Sequence, residues 1–321
     1  MIPLNVSSWT YGKFEGSGVP YEAAGALDSG IFVRINLDGE VEEAELSATD
    51  SVGVIYGGAT ARYEPVFVIN SGKSPVVADT ELVNRHLVKV GPDGCATAYQ
   101  SSENDIQTAA IGVATSFTGR AASVITIAQA GDVAADRGRG IVLVGTNAAG
   151  DEIIETVTLN ALNSTTGVAS TLTFATLAGA YTADGAVLGA QNVTLTATAG
   201  LRATLLAAAS HIGAVIPAQN AEAYGNSVHF YSAAQDNTFI TLVGYKAATP
   251  DTLTAERIQL DNNNPSLAES SDEYRQITRI CLGELTNGRS VRIYTEADDP
   301  ASLMGRLVEG ATRGATAIIQ L

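Results

Sequence analysis

Two stretches of this chain, "FVRINLDGEVEEAELSATDSVGVI" (32–55) and "LVKVGPDGCATAYQSSENDIQTAAIGV" (87–113), follow one pattern. Each runs an alternating apolar segment into an Asp-Gly pair, Asp38-Gly39 or Asp93-Gly94. A second segment and a closing Gly-Val follow. An Asp-Gly pair between alternating runs predicts a tight hairpin, because glycine, and to a lesser degree aspartate, tolerates positive φ. Phe32, Ile35 and Leu37 before the first turn, then Val41, give that hairpin one buried face. Between the copies, "ARYEPVFVINSGKSPVVADTEL" (61–82) predicts another strand pair around Ser71-Gly72. A small antiparallel β-barrel is expected over 20–120, since closure removes exposed edges. An N-terminal arm is expected over 1–19.

A longer repetition follows. "SVITIAQ" (123–129) corresponds to "SVHFYSA" (227–233), and "IVLVGTNAAGDEIIETVTLN" (141–160) to "FITLVGYKAATPDTLTAERIQLD" (239–261). "FATLAG" (174–179) lines up with "YRQITR" (274–279), and "VTLTATA" (193–199) with "VRIYTEA" (291–297). "LRATLLAAASHIGAVIPAQ" (201–219) is matched to "ASLMGRLVEGATRGATAIIQL" (301–321) as a short helix and a strand, with Asp299 as N-cap and Pro300 in the first turn. Two β-sandwich-like repeats, each with a short helix, are thus expected over 121–219 and 220–321. The fold class is mainly β.

The net charge is −16, and more than half of it lies in the first 118 residues. No basic residue stands between Arg139 and Arg202. Such a surface repels phosphate backbones and anionic membranes, so no nucleic acid and no membrane is expected as a partner. Solubility alone is the plain reading of the same acidity. Cys95 and Cys281 form no CxxC and are read as free thiols of a protein made in a reducing cytoplasm. The first residues lack a secretory pattern, and the longest apolar run (205–216) is too short to span a bilayer.

The chemistry-bearing residue types do not gather. His86, His211 and His229 stand in no metal-ligand spacing, so no metal is expected. "SGKSP" (71–75) lacks the glycine a phosphate loop needs at position 67, where Phe67 stands. "EGSG" (15–18) reads as a bend. The acidic pairs Asp151-Glu152 and Asp298-Asp299 read as solvated turns, and "DNNNP" (261–265) lacks the spaced acids of a calcium loop. No catalytic residue and no cofactor are expected, and the chain is read as no enzyme. The interface candidates are Trp9, Tyr11, Phe14 and Tyr21, aromatics suited to docking in a groove, and Arg137 and Arg139, suited to a partner's carboxylate. The competing readings are an arm folded back on its own barrel and a solvated arginine loop.

The segments "VKVGPDGCATAY…IGVA" and "GIFVRINLDGEVEEA…VGVIYGG" are similar to a recurring pattern in capsid decoration (cement) proteins of tailed bacteriophages. "GTNAAGDEIIETVTL" resembles Ig-like modules of phage structural proteins. The resemblance covers roughly residues 25–118 and 140–178. It implies a virion structural protein on the outer capsid surface, with the major capsid protein as partner. It also implies a homo-oligomer, with a trimer expected from the three-fold positions decorations favour. This chain is much longer than the smallest cement proteins. The alternative from another binding class is a tail or fibre module holding host glycans.

Overall fold

The computed structural model describes residues 9–11, 14–79, 81–83, 85–107, 122–198, 200–212, 215–282 and 291–321. The chain forms β1 (Trp9–Tyr11), β2 (Phe14–Glu22), β3 (Phe32–Ile35), β4 (Val41–Glu43), β5 (Ser51–Tyr56), β6 (Pro65–Val77), β7 (Leu87–Val90) and β8 (Ala96–Ala98). It continues as β9 (Asn104–Gln107), β10 (Thr126–Gln129), β11 (Gly140–Thr146), β12 (Glu152–Thr158), β13 (Val168–Ala169), β14 (Thr176–Thr182), β15 (Val193–Ala197) and β16 (Gly200–Leu205). Then come β17 (Val215–Pro217), β18 (Glu222–Ser232), β19 (Phe239–Lys246), β20 (Leu253–Gln259), β21 (Ser266–Cys281) and β22 (Val291–Thr295). The last strands are β23 (Gly305–Glu309) and β24 (Thr316–Gln320). The fold is mainly β, and the helices among the described residues are single 3-10 turns at Pro92–Gly94, Ala134–Asp136 and Pro300–Ser302.

Two compact units result. Residues up to Asn104 join Glu296–Leu321 in unit 1, and Asp105–Thr295 make unit 2. Unit 1 is one ten-stranded sheet in the order β4-β3-β5-β6-β24-β23-β7-β8, with β2 also on β6 and β1 on β2. It curls in two halves around β6. The first half of β6 pairs with β2 and β5, and Lys73–Val77 pair with β24. Each half curls far enough for a single parallel bridge to join its ends, Ala23 to Val41 in one and Ala78 to Ala96 in the other.

The halves are copies of each other. The hairpin β3–β4 matches β7–β8. Leu27 exchanges backbone hydrogen bonds with Ala59 as Leu82 does with Ala311. The Ile55 amide donates to the Ile31 carbonyl as the Leu307 amide donates to the His86 carbonyl. Phe32 faces Val54, and Leu87 faces Arg306. The second copy is therefore completed by β23 and β24 from the far end of the chain. The short connection from β4 to β5 in the first copy is replaced in the second by all of unit 2. Insertion of a whole unit requires its two ends to lie close together, and the incoming β9 neighbours the outgoing β22 in one sheet.

Three sequence expectations need correction. The single closed barrel over 20–120 is replaced by two curled halves, because the second copy closes with residues after 296; Ile111-Gly112-Val113 lie outside the described residues. No turn forms at Ser71-Gly72: β6 runs straight through, and Gly72, at φ +88°, lies beside the change of partner from β2 to β24. The short helices do not form. Gly200–Leu205 is a strand on β15, and 301–302 complete one 3-10 turn that Asp299 caps by accepting from the Ala301 amide.

Unit 2 repeats itself as well. In its first part β13-β10-β15-β16 and β12-β11-β14 cover a common core that includes Ile127, Leu143, Phe174, Leu177 and Leu195. In the second part β19 pairs with β20 and β21, and β18 with β21 and β22, around Phe230, Leu242, Tyr274, Ile277 and Ile293. The details coincide. The Ser170 hydroxyl accepts from the Ile125 amide at 2.9 Å and donates to the Leu172 carbonyl at 2.7 Å; Ser270 does the same for Val228 and Asp272 at the same distances. Glu155 accepts from the amide and hydroxyl of Thr171, and Glu256 from those of Ser271. Both repeats break register at a glycine, Gly145 and Gly244, where a Cβ would collide with the carbonyl of Thr176 or Gln276.

Candidate interaction surface

The β3–β4 turn in unit 1 is built to hold still. The Asn36 side-chain oxygen accepts from the amides of Asp38 and Glu40, both at 3.0 Å, and the Gly39 amide donates to the Asn36 carbonyl at 3.1 Å. Gly39 takes φ +82°, which glycine adopts without strain. The product is a fixed turn that carries Leu37 at 107% relative exposure. The sequence pattern assigned Leu37 and Ile35 to the buried face. The register shift between Val33 and Arg34 ends the alternation, so Phe32, Val33 and Val41 are buried and Ile35 is exposed.

Ion pairs surround the turn. Arg34 reaches Glu42 at 2.9 Å and Glu45 at 2.7 Å. Arg62 holds the buried Glu40 at 2.9 Å and Asp38 at 3.4 Å. Hydrogen bonding to Glu42 and to Glu40 raises the pKa of each guanidinium further. A groove of about 450 Å³ lies along this edge, with Leu37, Asp38, Glu42 and Asp50 among its walls. It presents one leucine in an acidic frame.

Trp9 and Tyr11 lie on β1 and Phe14 on β2, with Trp9 opposite Gly16 and Tyr11 opposite Phe14; their side chains fall outside the described residues. Residues 16–22 pair with 65–72, so the later part of the expected arm is a strand of the sheet. Tyr21 is half-buried against the core formed by Ala23, Val33, Val41 and Val66. Arg137 binds both oxygens of Asp132, and with the Ser164 amide it holds that carboxyl far below the usual range. Arg139 contacts Asp136 at 2.6 Å, Asp184 at 3.3 Å and the Val187 carbonyl at 2.8 Å. Both guanidiniums are thus engaged within unit 2. The aromatics belong to unit 1.

Other titratable groups serve the fold. Asp136, 1% exposed, accepts from the Gln129 amide group at 2.6 Å and the Gly189 backbone at 2.8 Å besides Arg139. Tyr274 donates to Glu256 at 2.8 Å, and burial, then Glu256, pushes its pKa far up. Burial raises Cys281 to about 12 and, aided by Asp79, Cys95 to about 11; both are free thiols. Burial, then Arg279, lowers His211. His229 stacks on Tyr294 at 5.5 Å. Asp261 accepts from the amides of Asn263 and Leu267, which lower its pKa and make "DNNNP" a self-organised turn. Among the described residues no three His, Cys, Asp or Glu side chains gather as metal ligands, and no helix is long and apolar enough to cross a membrane.

No protein-family model matches the chain, and no curated protein or solved structure is significantly similar to it.

Proposed function

We propose that this chain is a non-enzymatic virion structural protein, a decoration or cement protein on the outer surface of a phage head. The observation that carries the reading is the Leu37 turn: an apolar side chain fixed by Asn36 and presented whole to solvent inside a frame of ion-paired carboxylates. That is the build of a docking element, because an apolar side chain already held in place loses little entropy on binding. The β modules of the chain supply further area. The curled halves of unit 1 act as small barrel-like modules and the repeats of unit 2 as sandwich-like ones.

The partner is the major capsid protein. A decoration that binds across neighbouring shell subunits adds its binding free energy to their association and opposes internal pressure. A specific interface of this kind buries on the order of 1,600 Å². Repetition over a symmetric shell turns modest contacts into a stable coat. Strong acidity keeps such a coat away from nucleic acid.

The test is to mix purified protein with undecorated capsids and image them. Ordered density at symmetry-related positions is expected. Bare or randomly decorated shells would remove the reading, and glycan binding without shell binding would favour the adhesion alternative.

A further inference from the structure

Within unit 1 the second copy docks its turn on the first. Gly94, in the Pro92–Gly94 turn, sits so close that a Cβ there would lie 2.8 Å from the Phe32 carbonyl and 3.2 Å from Glu43 and Ile31. The Ser47 amide of the first copy donates to the Val90 carbonyl of the second at 2.9 Å. Covered in this way, Ile31 is 4% exposed and Phe32 is 0% exposed.

The same relation is open at both ends of the pair. The first copy's turn has the same Asp-Gly corner, yet nothing lies within 4 Å of a Cβ at Gly39, and Leu37 is wholly exposed. At the other end, His86 and Leu87 hold the positions of Ile31 and Phe32. His86 is exposed and Leu87 half-buried. One copy thus offers an unused turn and the other an unused seat.

The charges at the open ends fit each other better than at the filled one. Inside the chain, Asp93 approaches Glu43, whose pKa is raised by burial and then by Asp93 and Asp28. The positions of Glu43 and Asp28 are held in the second copy by Ala98 and Val83, so those repulsions vanish. Exposed Arg85 and Arg306 flank the open seat, while Asp38, Glu42 and Asp50 frame Leu37.

We infer that the protein self-associates head to tail, with the Leu37 turn of one copy seated on the Arg85–Leu87 face of another. The occupant of the acidic turn is a second copy of this chain, and the contact repeats the one already made between its two halves. Such an interface is heterologous, so it gives a closed ring or an open chain according to the rotation per step. This contact uses the same Leu37 turn as the capsid reading and gives it a second copy as occupant, so a chain assembled in this way meets a shell through other faces.

The experiment is sedimentation velocity on the full chain across the micromolar range. Wild type should show concentration-dependent assembly that weakens in about 1 M salt, where screening acts within about 3 Å. A head variant, Leu37→Glu, and a tail variant, Arg85→Glu with Arg306→Glu, should each weaken assembly by about tenfold or more, as expected for loss of an interface anchor. Each variant keeps one working surface, so an equimolar mixture should form a dimer and grow no further, which also shows that both are folded. A wild type that stays monomeric overturns the inference. So do variants that assemble like wild type, or a mixture that does not pair.

Discussion

The Lys89 ammonium lies 2.6 Å from the Asp298 carboxylate, with side-chain exposures of 0% and 4%, across 209 residues of sequence. The other carboxylate oxygen accepts from the Gln100 amide at 2.5 Å, and the Asp298 amide donates to the Gln100 carbonyl at 2.8 Å. Arg34 holds the matching position in the first copy, where it pairs with Glu42 and Glu45 near the surface. In both copies a cation on the hairpin pins the connection that leaves it. In the second copy that connection has been opened to admit unit 2, and the pin is buried.

Removing one member should therefore be costly. Lys89→Met leaves the Asp298 charge buried with a weakened set of partners, and a cost of about 3–5 kcal/mol is expected for a broken buried pair. Lys89→Met combined with Asp298→Leu should recover part of the loss. Urea unfolding with probes in each unit checks this. A single mutant as stable as wild type would mean the pair contributes nothing.

Truncation after Thr295 removes β23 and β24. It exposes the Lys73–Val77 edge of β6 and the edge of β7, and it strands Lys89. Hydrogen exchange should then speed up across 73–98, while the β11–β12 and β19–β20 hairpins stay protected. Exposed strand edges also favour association, so the truncated chain should aggregate more readily.

How far this was legible in the sequence depends on the distance between partners. Asp38-Gly39 and Asp93-Gly94 encode their hairpins locally, and the strand-by-strand repetition in unit 2 could be followed from Ile127 to Leu195 and from Phe230 to Ile293. The second copy of unit 1 could not be completed by looking nearby. The local pattern puts its closing strand at Ile111-Gly112-Val113, whereas the strand opposite Leu87 and Val88 is Gly305-Arg306. One signal existed: Gly58-Ala59-Thr60 recurs as Gly310-Ala311-Thr312, each alanine bridged to a leucine. Leu37 departs from the pattern for a different reason. Alternation assigns faces only while the ladder stays regular, and a shift at Arg34 with an asparagine-held turn ended it. The Lys89–Asp298 pair had no local signature at all.

The register-breaking glycines of unit 2 give a paired prediction. At Gly145 and Gly244 any side chain meets a strand-partner carbonyl, which is backbone and cannot swing aside. Gly145→Ala and Gly244→Ala should each cost about 1–3 kcal/mol, the usual range for overpacking. Thermal melts should show the loss in unit 2. Gly150→Ala sits at φ +93° with open space around it, so it should cost less, through backbone strain alone.

Alkaline stability follows from Cys281. Its thiol is buried, and burial lifts its pKa from 9.0 to about 12. Between those values the folded chain keeps a proton that the unfolded chain has released. Stability is then highest below the lower value and falls as pH rises through the window. Tyr274, raised by burial and by Glu256, acts in the same direction above its ordinary value of 10.0. Cys281→Ala removes the thiol's part of this slope at the cost of a small cavity, so its unfolding midpoint should start lower near pH 7 and decline less steeply above pH 9. Urea midpoints measured across that range decide the matter. Parallel curves for wild type and variant would mean that the thiol is not what ties this core to its proton.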